Sequence, residues 1–432
     1  ISESMSFLEK ATKNLNTSVI YSGLFNIISI IINFYLIRFF AINGGLELVG
    51  YWTLHITFLG FILVLDFGLR DALTRELSLQ IKSKESPNLS FIFSLCCLLF
   101  ISANFLLYLN FNNENPYIFL LTTAFYGGVL QVCSGWLISF RLAKHEQHWF
   151  YSKDLIRIVA QFIFLVVVFK SYDPIRAIGF SYILAASLDA AFTIFVVKND
   201  LIKFLFSKTV FLNYKKIFNL VKDFAALNIF QRIQLPIFNV LISRLAGIEI
   251  LGILSLSMKL PQVASNLINE GMRPILPSIS SSKFIENKVA VMKQSYLIQF
   301  YISVPLSIFI FFNIDHIIPF WLNINDDLII TSAKIFTLGF LFINMIAPLY
   351  WALQSIGEAK FIAIATFINI VVLTVGILAI SIFSTDNIQY FSYLFISSQI
   401  IFDAVLLAFS VSHALSQLSI ANKVWNLFFL KP

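Results

Sequence analysis

The chain alternates between long apolar runs and short segments that hold most of its charged residues. A membrane-spanning helix needs about 20 mainly apolar residues. We therefore predict an all-α polytopic membrane protein with about twelve spans. They lie near 18–40, 46–69, 88–111, 116–140, 155–170, 176–197, 224–246, 249–273, 294–313, 328–354, 359–383 and 388–412. The fifth span is short, and Pro261 is expected to interrupt the eighth.

The eighth predicted span carries a stripe of polar side chains along one helical face. The polar residues recur at steps of four, three, four, three, one and three. They are Ser255, Lys259, Gln262, Asn266, Asn269, Glu270 and Arg273. A lysine in mid-membrane costs roughly 3 kcal/mol on insertion scales, so we expect this face to meet a water-filled cavity. A single buried ion pair is the alternative explanation for Lys259.

Short sequence matches recur in the same order in the first six and the last six predicted spans. Glu47-Leu48-Val49-Gly50 corresponds to Glu249-Ile250-Leu251-Gly252, and Asp66-Phe67-Gly68-Leu69-Arg70 corresponds to Asn269-Glu270-Gly271-Met272-Arg273. Because six is an even number, both copies run in the same direction across the membrane. We therefore predict two six-helix lobes related by an axis along the membrane normal, with a site near the midplane between them.

The longest basic connection separates the two copies and has an amphipathic pattern typical of a segment that lies along the inner leaflet. The predicted organisation is an N-terminal lobe at 1–197, a cytoplasmic linker at 198–223, a C-terminal lobe at 224–413 and a cytoplasmic tail at 414–432.

Polar faces are also predicted on the first, second and seventh spans, whereas the third, fifth, ninth and eleventh show little polar character. The residues of these faces are Ser22, Asn26, Ser29 and Asn33 in span one, His55 and Asp66 in span two with Arg70 directly after it, and Asn228, Arg232, Asn239 and Ser243 in span seven. We therefore expect a central cleft lined by the first two helices of each lobe.

Composition and charge agree with the membrane assignment. Hydrophobic residues make up 58% of the chain and charged residues 12%, and the mean hydropathy is +0.84, which is typical of a polytopic membrane protein. Lysines and arginines concentrate in alternate loops, and this places both termini in the cytoplasm. One such loop is assigned Arg141, Lys144, Lys153 and Arg157. The positive charges are divided among separate short loops, which argues against a nucleic-acid-binding surface.

Arg232 and Lys259 are the cations predicted nearest to mid-membrane in the cleft helices. No acid in spans seven and eight lies at the same depth. This favours an anionic ligand such as a phosphate or pyrophosphate, which gains charge-assisted hydrogen bonds at low dielectric. An ion pair with an acid of another span, such as Asp189 or Asp403, is the alternative.

Two further pairs of arginines occupy matching positions in the two copies. Arg38 and Arg244 lie at outer helix ends, where they either contact substrate or snorkel to the interface. Arg70 and Arg273 lie at inner helix ends, where they are either inner-gate charges or positive-inside anchors.

Acids at membrane depth are candidates for ion coupling or gating. These are Asp66, Asp189, Glu270 and Asp403, and His55 is a further candidate for proton exchange. A structural ion pair is the alternative for each of them.

Motifs for catalysis or metal binding are not visible in the sequence. It contains no Gly-rich phosphate loop, no nucleophile elbow and no His/Cys spacing typical of a metal site. The three cysteines fall inside predicted spans and are expected to be packing residues. We therefore expect a protein that is not an enzyme and needs no cofactor.

Several motifs resemble those of one transporter superfamily. Arg244-Leu245-Ala246-Gly247, followed by Gly252, resembles the junction of paired helices in polysaccharide transporters of the multidrug/oligosaccharidyl-lipid/polysaccharide (MOP) exporter superfamily. Asp66-Phe67-Gly68-Leu69 is similar to the end of the second helix in that family, and segment 353–360 is similar to its turn between the tenth and eleventh helices.

The resemblance implies a Wzx-type flippase with two lobes arranged in a V. Such a protein moves undecaprenyl-pyrophosphate-linked oligosaccharide, an O-antigen or related repeat unit, across the bacterial inner membrane by alternating access coupled to H⁺ or Na⁺. Arg232 and Lys259 would hold the pyrophosphate, while Asn26, Asn33, Gln262 and Asn266 would face the sugars. Membrane lipids, a polysaccharide polymerase and a chain-length regulator are the implied partners.

Three other functions compete with the flippase interpretation. A multidrug or small-solute exporter of the same fold would favour acids and aromatic residues in the lumen. A membrane-embedded glycan polymerase or acyltransferase would need a catalytic constellation or a sizeable outer loop. A scaffold would gain nothing from a lysine at mid-membrane depth.

Overall fold

A computed structural model of the chain describes residues 2–70, 73–74, 77, 90–110, 113–144, 146–205, 214–272, 285–355, 359–383 and 389–416. Within these residues the chain forms eleven α-helices and no strand, which confirms the predicted all-α membrane fold. The helices are α1 (Ser2–Leu63), α2 (Ser90–Asn110), α3 (Pro116–Ala143), α4 (Gln147–Val168), α5 (Pro174–Leu205), α6 (Tyr214–Leu245), α7 (Ile248–Met272), α8 (Ile285–Leu322), α9 (Asp327–Ser355), α10 (Ala359–Phe383) and α11 (Gln389–Ser416).

Helix α1 contains both of the first two predicted spans, joined with no intervening loop. Its regular geometry breaks at Gly45, where φ is 67° and ψ is −167°. This backbone conformation is essentially restricted to glycine because a Cβ would clash there. A single glycine therefore separates the two arms of the helix, at 2–44 and 46–63.

Two predicted helix features are wrong in detail. Helix α4 begins at Gln147, so Lys153 and Arg157 lie on a helix and not in a loop. The predicted span, 155–170, started too late because it was begun after Lys153, whereas a helix can carry charges where protein packs around them. Helix α7 continues through Pro261. Pro is tolerated in membrane helices when neighbouring groups satisfy the freed carbonyl.

Eight described helices are long and apolar enough to cross a membrane. The other three described helices, α4, α6 and α7, carry Lys153, Arg157, Arg232 and Lys259. All three helices that fail this apolar test thus carry charged residues, although α5, which passes it, also holds the buried Asp189. The total of twelve spans and the cytoplasmic position of the termini stay predictions.

The chain divides into two compact units. The first unit comprises Ile1–Phe40 and Tyr51–Pro236, and the second comprises Ala41–Gly50 and Ile237–Pro432. The division therefore falls inside α6, directly after Pro236. The lobe and linker boundaries predicted from sequence stay a prediction.

Helix α3 lies at the centre of the first unit. Asn115 caps its N-terminus by accepting a hydrogen bond from the Tyr117 amide, and Pro116 occupies the first turn. Trp136 and Phe140 belong to a buried apolar cluster that includes Ile92 of α2. On the other side, Tyr182 of α5 lies so close to Gly127 that it would collide with any Cβ there. The close approach fixes α3 between its neighbours.

In the second unit, the start of the second arm of α1 crosses the start of α7 through two glycines. A Cβ on Gly50 would collide with the Ile248 carbonyl oxygen, and a Cβ on Gly252 would collide with the Leu46 carbonyl oxygen. The two glycines are equivalent positions of the repeat detected in the sequence. Small residues at such crossings let helix backbones approach closely in membranes.

We expect Gly252→Ala to destabilise the second unit by about 1–3 kcal/mol, because the added methyl group must displace backbone atoms. The measurement is the thermal unfolding midpoint of the purified protein in detergent. Gly135→Ala is the matched control. A Cβ on Gly135 would lie 3.8 Å from its nearest neighbour, Arg70 Cδ, which leaves room for a methyl group. Equal unfolding midpoints for the two variants would contradict the close crossing.

Candidate functional site

A cavity of about 320 Å³ lies within the first unit, lined by residues of α1, α3, α4 and α6 and of the turn after α1. Its ionisable lining residues are Asp66, Arg70, Asp154, Arg157 and Arg232, and its other lining residues are Gly60, Leu63, Gln131, Val132, Gly135 and Phe150. Three arginines face two aspartates, so this set carries one net positive charge.

Asp66 organises one wall of the cavity. It ends the 3₁₀ turn Val64–Asp66 that follows α1, and the next two residues, Phe67 and Gly68, have φ values of 44° and 77°. The carboxylate oxygen Oδ1 accepts hydrogen bonds from Trp136 Nε1 at 2.9 Å and from the Arg70 amide at 3.2 Å. Asp66 therefore caps the segment that follows the turn and ties it to α3.

Arg232 reaches the same wall from α6. One guanidinium nitrogen donates to the Leu63 carbonyl oxygen at 2.6 Å, and the other lies 3.5 Å from Asp66 Oδ2. A cation is favoured at Leu63 because the carbonyl groups at a helix C-terminus carry partial negative charge. The acid that pairs with Arg232 is thus Asp66. It belongs to another predicted span, as the alternative explanation proposed, although it is neither of the two examples considered there, Asp189 and Asp403. The side chain stays 33% exposed, which leaves part of the guanidinium available to a ligand.

Two other arginines complete the cationic side of the cavity. The Arg70 guanidinium lies over the Phe150 ring, 5.4 Å from its centroid, a distance typical of a cation–π contact. Arg157 lies 3.8 Å from Asp154. The Gln131 amide is assigned with its oxygen towards Arg157, because only this orientation gives it hydrogen-bond donors. The oxygen then accepts from Arg157 at 3.1 and 3.2 Å and from the Tyr182 hydroxyl. These contacts hold Arg157 in a defined orientation.

Behind the cavity lies a buried acid–base pair. Lys153 Nζ is 3.7 Å from Asp189 Oδ2 and also 3.7 Å from Asp154 Oδ1. Asp189 is 0% exposed and Lys153 is 3% exposed, so the charges must neutralise each other inside the protein. Asp154 then connects this pair to Arg157 and the cavity. Asp189, a predicted coupling acid, is therefore connected to the cavity through Lys153 and Asp154.

His55 lies in the first unit but outside the cavity lining. Its Nδ1 is 3.2 Å from the Leu120 carbonyl oxygen, and its ring meets the Tyr182 ring edge-on at 5.0 Å. This places His55 in the buried core between α1, α3 and α5. Its predicted role in proton exchange stays a prediction.

Three residues of the first unit that were predicted to contact substrate either lie away from the cavity or have side chains outside the described residues. Asn33 donates to the Ser29 carbonyl oxygen of its own helix at 2.8 Å, and Arg38 is exposed. The side chain of Asn26 lies outside the described residues. Neither Asn33 nor Arg38 lines the cavity.

In the second unit, Lys259 is half-buried on α7, and among the described residues no acid pairs with it. Gln262 is half-buried, while Asn266 and Arg244 are exposed. The half-buried Asp403 accepts from Gln399 at 3.4 Å. The Glu270 side chain and the whole of Arg273 lie outside the described residues. The roles predicted for all these residues stay predictions.

Asn269 of the polar stripe of α7 and Ser265 beside the stripe hold helices together. Ser265 donates to Asn344 Oδ1 of α9 at 2.6 Å, and Asn269 Nδ2 lies 3.3 Å from the same oxygen. Gln299 of α8 donates to Asn269 Oδ1 at 3.3 Å. Such bonds between side chains join helices in membranes. The prediction that the whole stripe faces a lumen is therefore incomplete, and the predicted ninth span has a buried polar residue.

The sequence interpretation missed three cavity residues, Asp154, Arg157 and Gln131. A signal for the first two was present, since positions 154, 157 and 161 follow one helical face. It was overlooked because the fifth span was begun after the first of these charges. Gln131 gave no comparable signal, since a lone glutamine in an apolar run does not reveal its partner.

No family model and no curated protein matches the chain. Among solved structures, an inward-facing multidrug resistance MATE family transporter of the MOP superfamily has a TM-score of 0.68 at 11% identity, covering 87% of this chain and 94% of its own. The lipid II flippase MurJ in an inward closed conformation has a TM-score of 0.64 at 15% identity, covering 95% and 92%.

A third similar structure is a MOP superfamily transporter from Pyrococcus furiosus, described as having a binding pocket of reversed polarity. Its TM-score is 0.59 at 10% identity, covering 92% of this chain and 96% of its own. The chain therefore has the fold of MOP superfamily transporters, a class of multi-pass membrane proteins, as the sequence motifs implied. At these identities the likeness establishes the fold alone.

We expect Lys153→Met to destabilise the protein by about 3–5 kcal/mol, because it leaves Asp189 charged and buried without its partner. The double variant Lys153→Met/Asp189→Leu should recover most of that loss, since neither charge then remains. Thermal unfolding in detergent measures both effects. A double variant as unstable as the single one would show that the two residues do not act as a pair.

Proposed function

We propose that the protein is a flippase that moves a lipid-linked oligosaccharide with a pyrophosphate head group from the cytoplasmic to the outer leaflet of a bacterial inner membrane. The observation that carries this proposal is the cavity of the first unit, where Arg70, Arg157 and Arg232 meet. Guanidinium groups bind phosphate oxygens in a fixed fork geometry and keep their charge at any physiological pH. A cluster of three suits an anion with more than one phosphate.

The remaining parts of the substrate follow from this anchor. The polyprenyl tail stays in the bilayer, and the sugars meet neutral polar groups such as Asn33, Gln262 and Asn266. Lys259 adds a further cation for the pyrophosphate during transport. Its lack of an acidic partner among the described residues is what supports this role.

Translocation occurs by alternating access and is driven by an H⁺ or Na⁺ gradient. The buried pair of Asp189 and Lys153 is our candidate for coupling in the first unit, because Asp154 connects it to Arg157 of the cavity. Asp403 is the candidate in the second unit. A polymerase and a chain-length regulator of the same glycan pathway are the proposed partners.

A multidrug exporter shares this fold, as the MATE neighbour shows, and would select organic cations. The cavity of the first unit argues against that substrate. Its three arginines exceed its two aspartates, and the Asp66 oxygen Oδ1 is occupied by two donors.

The test is flipping of a pyrophosphate-linked lipid oligosaccharide in reconstituted vesicles. We expect Arg157→Gln and Arg232→Gln each to lower the flipping rate by about 10- to 100-fold, since a hydrogen bond to a charged group contributes about 1.5–3 kcal/mol. Arg176→Gln is the matched control, because Arg176 is on α5 and does not line the cavity. It should flip the lipid at the wild-type rate.

Normal insertion and folding of each variant are checked by size-exclusion chromatography. Wild-type flipping rates in both cavity variants would show that these arginines do not bind the substrate. A wild-type protein that moves no such lipid but extrudes organic cations would make the small-solute exporter the better assignment.

A further inference from the structure

One face of α6 lies along the end of α1 and the residues that follow it, within the first unit. The contacts come from positions 228, 232 and 236, which are spaced by four and therefore share a helical face. A Cβ on Gly68 would be 2.7 Å from Asn228 Nδ2, and a Cβ on Gly60 would be 3.0 Å from Pro236 Cγ. Two glycines thus form notches that receive α6, and Arg232 lies between them.

Arg232 makes the charged contact in the middle of this docked face. Its bond to the Leu63 carbonyl oxygen is short at 2.6 Å, but its distance to Asp66 Oδ2 is 3.5 Å. Charge-assisted N–H···O bonds are usually 2.7–2.9 Å long, so the Asp66 contact is a weak one. Asp66 keeps two donors on its other oxygen, from Trp136 and Arg70. It can therefore lose Arg232 without becoming an unpaired buried acid.

The guanidinium of Arg232 also lines the cavity with Arg70 and Arg157. A phosphate placed among the three arginines would approach Asp66, and two anions that close repel each other. Arg232 therefore cannot serve Asp66 and a phosphate fully at the same time. Binding of the phosphate favours any arrangement in which Arg232 has moved away from Asp66.

We propose that the Asp66–Arg232 contact is a substrate-operated latch. The pyrophosphate head group takes Arg232 from Asp66 and from the Leu63 carbonyl oxygen. The docked face of α6 then separates from Gly60 and Gly68. This inference rests on the proposed function and adds the step by which substrate binding changes the structure. By linkage, a ligand that binds better to the undocked arrangement must shift the protein toward it.

The latch is tested by disulfide cross-linking of Gly60→Cys with Pro236→Cys, in a protein where Cys96, Cys97 and Cys133 are replaced by Ala. The probe is geranylgeranyl pyrophosphate, and geranylgeraniol is the uncharged control. We expect the pyrophosphate to slow cross-linking by fivefold or more and the alcohol to leave the rate unchanged. Probe binding is measured separately by equilibrium titration.

Two matched variants separate the latch from general electrostatics. Asp66→Asn should slow cross-linking without any probe, because it removes the charged one of the two acceptors of Arg232, the other being the Leu63 carbonyl oxygen. Asp154→Asn removes the other cavity carboxylate, which pairs with Arg157 and not with Arg232. It should bind the probe more tightly but cross-link at the wild-type rate.

Hydrogen–deuterium exchange of the wild-type protein provides a measurement that does not depend on the cysteines. Peptides covering 56–66 and 226–236 should exchange faster when the pyrophosphate is bound. Faster exchange in these two segments supports the latch, and unchanged exchange with bound probe opposes it.

The outcomes distinguish the latch from the function. A probe that binds while cross-linking and exchange stay unchanged overturns the latch and leaves the flippase proposal intact. A probe that fails to bind overturns the proposed function. The Asp66→Asn variant tests the latch without a probe. If its cross-linking rate equals that of the wild type, the Asp66–Arg232 latch is rejected as well.

Discussion

A carboxylate inside a helical membrane protein must find its hydrogen-bond donors within the protein, and the first unit is arranged around how Asp66 does so. Its donors come from the Trp136 ring of α3, the Arg70 backbone amide and the Arg232 guanidinium of α6. The same carboxylate ends the turn that follows α1. One group therefore fixes the end of α1, links it to α3 and places an arginine of α6 at the cavity. Without it the cavity would lose its wall as well as its balance of charge.

The other charges of the first unit follow the same constraint. Asp189 is neutralised by Lys153, which also approaches Asp154, and Asp154 approaches Arg157. The result is a line of alternating charges from the buried interior of the unit to a cavity with one more cation than anions. An anionic ligand completes that balance, whereas a cationic ligand would have to compete with arginines. This balance of charge is the physical argument for the proposed phosphate-bearing substrate.

Much of the fold could be predicted from the sequence because a membrane-spanning helix requires a long run of apolar residues. Apolar runs located most of the helices. The sequence match of Gly50 with Gly252 indicated a repeat, and the structure shows that the two glycines lie at a close crossing of helix backbones. The start of α4 was predicted too late because charges were taken as the mark of a loop. That rule fails where protein surrounds the charged side chains of a helix. Lys153, which is buried, is an example.

The candidate site was harder to predict because it depends on pairs that are distant in sequence. Asp66 and Arg232 were both recognised as unusual, and the polar periodicity of their helices was the reason. Their contact spans 166 positions, and helical phase alone does not say which acid meets which base. The stripe on α7 shows the same limit, since Asn269 proved to join α8 and α9 through Gln299 and Asn344.

The most direct measurement of the central claim is native mass spectrometry of the purified protein with an equimolar mixture of a polyprenyl pyrophosphate, the monophosphate and the free alcohol of the same chain length. If the cavity is a pyrophosphate site, the protein should retain the pyrophosphate preferentially, and Arg70→Gln/Arg157→Gln should lose that preference without losing the bound alcohol. Equal retention of the three lipids by the wild type would contradict the account, because the arginine cluster would then contribute nothing to recognition of the head group.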